Sequence, residues 1–136
     1  MQNLTEIKKE NIRDVVMSQI RKSKKEILAT MDMTEELSHP LPTKYFSLLH
    51  QKYKKGIKIK RIIFGSTKQY QYFLKKVKNK NLFFVGKHTK SKNYKRMIMI
   101  DRTKLFFQKR VRDKKRFYFT TDNKYIEQYK KYFDGF

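Results

Sequence analysis

The sequence predicts a single-domain α/β sandwich in which helices cover a mixed β-sheet. Three observations lead there. Segments with helical apolar spacing alternate with short apolar runs along most of the chain. After residue 93 the alternation gives way to a run of three strands and a closing helix, so the sheet is expected to be mixed. A length of 136 residues, 38% hydrophobic and 15% aromatic, suits one core and leaves too little for two.

From Leu4 to about Lys24, Ile12, Val15, Val16 and Ile20 recur at helical spacing, so residues 1–25 are expected to form an N-terminal helix and 26–136 the sheet with its other helices. EILATMDM (26–33) is short and apolar between polar flanks, as a strand is. SHPLP (38–42) is a loop, because two closely spaced prolines fit neither a helix interior nor a central strand. After Pro42 a second helix carries Tyr45, Phe46, Leu48, Leu49 and Tyr53 on one face, with Gly56 where a C-terminal cap belongs. IKIKRIIF (57–64) alternates and then turns fully apolar, as a strand entering a core does, and GST (65–67) ends it. Tyr70, Phe73, Leu74 and Val77 predict a helix ending near Asn79, followed by a short buried strand LFFV (82–85) and a polar segment GKHTKSKN (86–93). YKRMIMID (94–101) is the next strand, with Ile98 and Ile100 toward one face of the sheet and Met97 and Met99 toward the other. DRTK (101–104) is a tight turn, LFFQKR (105–110) and RFYFT (116–120) are strands, and Thr121 or Asp122 caps a last helix lined by Tyr125, Ile126, Tyr129, Tyr132 and Phe133.

Charge is the strongest compositional signal. Lys and Arg number 35 against 12 Asp and Glu, for a net charge of +23. Residues 37 to 100 contain no carboxylate, while Lys44 through Arg96 supply seventeen cations. Such a surface repels itself and attracts polyanions, so nucleic acid is the leading expected partner and an anionic membrane surface the second. Drift of composition toward lysine explains this less well, because such drift brings Glu with it and Glu is scarce. The absence of cysteine excludes a disulfide framework and thiolate zinc sites. No apolar run is long enough to span a bilayer and the N-terminus lacks a signal-peptide core, so a cytoplasmic location is expected.

YKKGIKIKRIIF resembles the helix-end, glycine and strand signature of phospholipase D-like domains. YKRMIMID, with its turn and LFFQ, resembles that family's His-any-Lys-four-any-Asp strand, and RFYFTTDNKYIEQYKKYFD resembles the segment that closes such domains. The resemblance covers roughly residues 12 to 135. It implies that the family's motif falls on Tyr94, Arg96 and Asp101, of which only the Asp matches. In the family the histidine attacks phosphorus; a phenol of pKa about 10 stays protonated near neutrality and does not replace it readily. Arg96 keeps a cation that can hold phosphate oxygens bidentately. The small polar tail that usually follows the Asp is missing, since 105–110 read LFFQKR. The resemblance therefore implies a catalytically inactive module with part of an anion pocket left. His88 and Lys90 offer a displaced motif, but Asp101 lies thirteen residues from His88 rather than seven, and a solvated His in a basic loop is the plainer reading.

Other chemistry is poorly supported. His39, His50 and His88 lie far apart with no Cys or carboxylate cluster to complete a coordination sphere, so neither a metal nor a cofactor is expected. Asp32 and Asp101 form a possible carboxylate pair, though a structural role for each is preferred. The four glycines are isolated, so no phosphate-cradling loop exists. Basic residues interleaved with aromatics are more informative. Phe73, Leu74, Phe83 and Phe84 are assigned to the core. Tyr70, Tyr72, Lys87, His88, Lys90, Lys92 and the turn Lys109, Arg110, Arg112, Lys114, Lys115 and Arg116 are the expected nucleic-acid contacts. Between Arg110 and Arg116 that turn holds five cations in seven residues, on a predicted hairpin tip.

The primary expectation is thus an inactive phospholipase D-like module that binds nucleic acid or another polyanion. Two alternatives stand beside it. Folds resembling this one also serve as effector-sensing domains of sugar-responsive TrmB-type transcription regulators, although no helix-turn-helix precedes the domain in this sequence. A single-motif nuclease acting as a homodimer is the other, opposed by Tyr94; dimerisation is compatible with every reading.

Overall fold

A computed structural model describes residues 3–39, 42–76 and 86–136. Along the chain run β1 (Thr5–Ile7), a 3-10 turn (Lys9–Asn11), α1 (Ile12–Arg21), β2 (Glu26–Asp32), α2 (Met33–Ser38), α3 (Thr43–Lys54), β3 (Lys58–Phe64), α4 (Thr67–Lys76), β4 (Lys87–Thr89), β5 (Met97–Ile100), β6 (Lys104–Val111), β7 (Lys114–Thr120) and α5 (Asn123–Asp134). The strands form one mixed sheet in the order β1-β7-β6-β5-β2-β3-β4. β2, β3 and β4 are parallel neighbours, and β5, β6, β7 and β1 continue the sheet antiparallel.

The two faces of the sheet follow from period-two alternation. One buries Ile27, Ile57, Ile100, Phe106 and Phe117 beneath Val16, Met17 and Ile20 of α1 and Tyr45, Leu48 and Leu49 of α3. Further along it, Met31 and Ile63 meet Phe73 of α4 and Met33 of α2. The opposite face buries Leu28, Ile62, Phe64, Met97, Met99, Leu105 and Phe107 beneath Ile126 and Phe133 of α5. Met97 and Met99 thus oppose Ile98 and Ile100, as the alternation of YKRMIMID requires.

Local chemistry explains several helix ends. The Asp122 carboxylate accepts from the Lys124 N–H at 2.9 Å and caps α5. Ser66 and Gln69 form a reciprocal capping box at the start of α4, with side-chain to backbone distances of 2.9 and 3.1 Å. Gly56, at φ +89, follows α3 in the left-handed conformation that favours glycine.

Several expectations are corrected. The segment read as one N-terminal helix begins with β1, an edge strand pairing Thr5 with Phe119 and Ile7 with Phe117, and its helix starts only at Ile12. Met33, expected to end the strand 26–33, and Ser38, expected to open the loop 38–42, instead bound α2, because the Asp32 carboxylate accepts from the Glu35 N–H at 3.3 Å and starts a helix there; residues 40 and 41 of that expected loop lie outside the described residues. The polar segment 86–93 contains β4, which extends the sheet beside β3. The predicted strand 82–85 and the end of the preceding helix lie outside the described residues.

Candidate nucleic-acid interface

Strand register decides what shares a neighbourhood. β5 runs antiparallel to β2 with Ala29 opposite Ile98, so the start of β5 lies at the carboxyl end of β2. Asp32 pairs with Phe64 and Phe64 with Thr89, which brings the carboxyl ends of β3 and β4 to the same edge. Met97 pairs with Phe107, so the part of β6 beyond Gln108, and the β7 residues opposite it, leave the sheet at that edge too. One end of the sheet therefore collects the loop Lys90–Arg96, the start of α4 and the tip of the β6–β7 hairpin.

An open cleft of about 790 Å³ lies there, walled by Asp32 and Thr34, by Phe64 through Gln69, and by Lys90, Ser91, Lys92 and Tyr94. Its polar side chains are hydroxyls, lysine amines and the Gln69 carboxamide, with a single carboxylate. Asp32 is held by its capping bond to α2, and Gln69 Nε2 donates to Thr34 Oγ1 at 3.0 Å, tying α4 to α2 across the cleft. The rim loop is anchored from behind. The Tyr132 hydroxyl donates to the Asn93 carbonyl at 2.6 Å and accepts from the Lys95 N–H at 2.8 Å, while the Lys95 ammonium lies 5.1 Å from the Tyr132 ring. Thr30, buried in β2, donates to the Lys95 carbonyl at 2.6 Å and accepts from the Met97 N–H at 3.1 Å.

Tyr94, Arg96 and Asp101 are not brought together. The Tyr94 ring packs edge-on against Phe64, 5.2 Å between centroids, and burial pushes its hydroxyl pKa up. Arg96 turns away from the cleft lining, its guanidinium 5.6 Å from the Phe117 ring and 3.9 Å from the Glu35 carboxylate. Asp101 sits at the far end of β5, where its carboxylate accepts from the backbone N–H groups of Lys24, Lys25 and Glu26 at 2.9, 2.7 and 3.0 Å. Asp32 and Asp101 therefore hold opposite ends of β2, each in a structural bond rather than as a catalytic pair.

The predicted contact residues divide. His88 Nε2 lies 2.8 Å from the Gly65 carbonyl and its ring stacks on Tyr70 at 4.4 Å, so these two face each other. Tyr72 remains 53% exposed beside Lys76. Lys87, Lys90 and Lys92 are exposed on the edge strand and cleft rim. Lys109, Arg110, Arg112, Lys114 and Lys115 are exposed on the hairpin, while Arg116 is partly buried and reaches Glu6 at 2.9 Å. Among the described residues no group of three or more metal-ligating side chains is found, and no helix is long and apolar enough to cross a membrane.

Arg61 was not anticipated. It is 2% exposed, lies 5.5 Å over the Phe46 ring and 3.6 Å from the Met31 sulfur, and burial lowers its pKa from the ordinary arginine value against the opposing pull of Tyr45 and Glu36. The alternation of IKIKRIIF puts Arg61 on the same side as Ile57 and Ile59, so its inward direction was present in the sequence.

No family model matches the chain, so the phospholipase D-like resemblance gains no support from that comparison, and no curated protein matches either. A solved structure of TrmBL2, an archaeal chromatin protein that shows a novel mode of DNA binding, is similar in fold, with a TM-score of 0.71 and 12% sequence identity over 99% of this chain. The chain spans about half of that protein, 51% of its length, and the likeness establishes a shared mixed α/β architecture.

Proposed function

We propose that this chain is a nucleic-acid-binding domain of a DNA-associated or transcription-regulating protein, and that the end of the sheet where β2, β3 and β4 finish is the binding surface. The observation that carries this reading is the gathering of cations there. Lys68, Lys90 and Lys92 ring the cleft and six more stand on the β6–β7 hairpin, on a chain of net charge +23. The fold similarity to a DNA-binding chromatin protein supports it. If the fold descends from phospholipase D-like domains, Tyr94 stands in place of the nucleophile. Burial keeps its hydroxyl protonated at neutral pH, which supports binding without phosphoryl transfer. Fluorescence anisotropy with labelled single- and double-stranded oligonucleotides is expected to show binding that weakens by roughly 0.9 log unit per log unit of salt for each duplex phosphate neutralised. Absence of binding at low salt would overturn the proposal, and binding confined to vesicles of anionic lipid would reassign the surface to membranes.

The cleft favours a second reading, a ligand-sensing domain of a transcription regulator. Its hydroxyls and lysines suit a sugar or a phosphorylated sugar, and its volume of about 790 Å³ lies within the usual range for such sites. A ligand at 100 times its Kd stabilises the fold by about 2.7 kcal/mol, so a panel of sugars and sugar phosphates is expected to include one that raises Tm. The joint variant Lys68→Ala, Lys90→Ala should reduce that rise for a phosphorylated compound. A panel without any shift leaves the first reading alone.

A further inference from the structure

The β6–β7 hairpin does more than add charge to the surface. Third-strand hydrogen bonding stops at Gln108 on one side, whose N–H donates to the Arg96 carbonyl at 3.1 Å just before β5, and third-strand pairing stops at Phe117 on the other, where β1 ends. The next rungs, Lys109 with Arg116, Arg110 with Lys115 and Val111 with Lys114, pair only with each other among the described residues. A two-stranded ribbon therefore projects from the sheet. Its tip is a two-residue connection in which Arg112 and Asp113 both adopt positive φ, 51° and 63°. This is the mirror-image turn whose twist matches the strands, here formed without the glycine that would make it easiest. The Arg110 guanidinium donates to the Asp113 carbonyl at 3.3 Å and braces the tip.

Cations stand on both faces of the ribbon. Paired residues of an antiparallel ladder share a face, so Arg110 and Lys115 point to one side and Lys109, Arg116 and Lys114 to the other. Strands about 4.8 Å apart with side chains on both faces make an object roughly 10 Å thick. Three rungs and a turn extend about 10 Å, close to the depth of roughly 8.5 Å of the B-DNA major groove, which is about 12 Å wide. The minor groove, about 6 Å wide, is too narrow, and the deep narrow major groove of A-form RNA does not admit such an element.

Resting on the nucleic-acid-binding reading above, we propose that the ribbon Lys109–Arg116 enters the major groove of duplex DNA tip first. Lys109, Arg110, Lys114 and Lys115 meet phosphates on both groove walls, and Arg112 reaches base edges at the floor. Guanine, with its O6 and N7 acceptors, is the base such an arginine pairs with best.

The test uses the full chain, a labelled DNA duplex, an RNA duplex of the same sequence and the DNA single strands. Affinity for the DNA duplex is expected to exceed that for the RNA duplex by about tenfold or more, and guanine N7 should be protected from methylation while adenine N3 is not. The joint variant Arg110→Gln, Arg112→Gln, Lys115→Gln should lose about tenfold or more in duplex affinity and lower the salt slope by roughly 2, from the two phosphate contacts removed. Lys75→Gln, Lys76→Gln on exposed α4 removes charge elsewhere and should change duplex affinity less than about threefold; equal melting curves for both variants show that each folds. Equal affinity for the two duplexes, unprotected N7, or equal losses in the two variants overturn the ribbon while leaving the basic surface as the binding site. Failure of the unaltered protein to bind any nucleic acid overturns both.

Discussion

Replacing Asp101 by Ala is expected to lower stability by about 3 kcal/mol, enough to displace Tm by roughly 10 °C in a domain of this size. The carboxylate accepts three backbone N–H groups from residues 24–26, where the chain leaves α1 and enters β2, and each is a charge-assisted bond on the side of that segment opposite β3, whose Lys58 N–H donates to the Lys25 carbonyl at 3.0 Å. The Asp101 N–H in turn donates to the Glu26 carbonyl at 2.9 Å, and Arg102 pairs with the Glu26 carboxylate, so the turn and the strand start are held from both directions. Asp101 also sits at φ 55, a left-handed conformation that Asp and Asn adopt more readily than Ala. Asp101→Asn should therefore retain the turn and lose about half as much. The pH dependence follows from the carboxyl pKa. Burial acts to raise it, but the donors of Lys25, Glu26 and Lys24 together outweigh burial and hold it below the ordinary value. A depressed folded pKa means that the stabilisation is complete above the unfolded pKa of about 4 and disappears as pH falls through the folded one. Urea unfolding of the unaltered protein and of Asp101→Asn at pH 7 and pH 3 should show their gap narrowing at the acid end. A gap of constant size would assign the loss to turn geometry instead.

The role of Asp101 shows where sequence reading runs out. That an acid ends YKRMIMID was visible, but its partners lie about 75 residues earlier, and no local pattern connects them. Elements with internal periodicity were legible for the opposite reason. The apolar spacing of α3 and α5, the alternation of β3 and β5 and the Asp122 cap are all properties of a few adjacent residues. β1 and β4, at three residues each, are too short for alternation to register, and their positions are set by the strands they join. The helix α2 was legible in principle, since Asp32 and Glu35 stand at capping distance, yet the apolar run through Met33 reads more strongly as continued strand. The candidate site divides the same way. Each basic cluster could be read from composition, and the hairpin was predicted as such. That the Lys90–Lys92 loop and the hairpin tip leave the sheet at one edge depends on strand order, a property of the whole fold. The anion pocket inferred for Tyr94, Arg96 and Asp101 followed a resemblance in spacing, and the structure separates those residues by the length of β5 and by the direction in which Arg96 turns.

Substituting Gly86 by Ala is expected to be as damaging, about 3 to 4 kcal/mol, and for a purely steric reason. A Cβ there would lie 1.7 Å from the Arg61 carbonyl oxygen and 2.6 Å from its carbonyl carbon. These are backbone atoms of β3, between β2 and β4 in the sheet, and they have no rotamer by which to move aside. β4 must withdraw instead, giving up its register of Ile62 with Lys87 and Phe64 with Thr89, the Gly65 N–H bond to the Thr89 carbonyl and the His88 stack on Tyr70. Two other glycines separate this cause from backbone conformation. Gly56 at φ +89 has open space around it, so Gly56→Ala should cost only about 1 kcal/mol of left-handed strain, and Gly135, with ordinary negative φ and its nearest contact at 3.4 Å, should tolerate Ala almost without effect. Thermal melts of the three variants should therefore fall in the order Gly135→Ala, Gly56→Ala, Gly86→Ala. A Gly86→Ala protein as stable as the Gly56→Ala one would show that β4 does not approach β3 so closely. The same variant separates the two ends of the binding surface. The cleft rim leaves directly from β4, whereas the ribbon is built on β6 and β7, which belong to the opposite side of the sheet from β4. At a temperature where Gly86→Ala remains folded, ligand binding in the cleft should be lost and duplex binding through the ribbon largely kept.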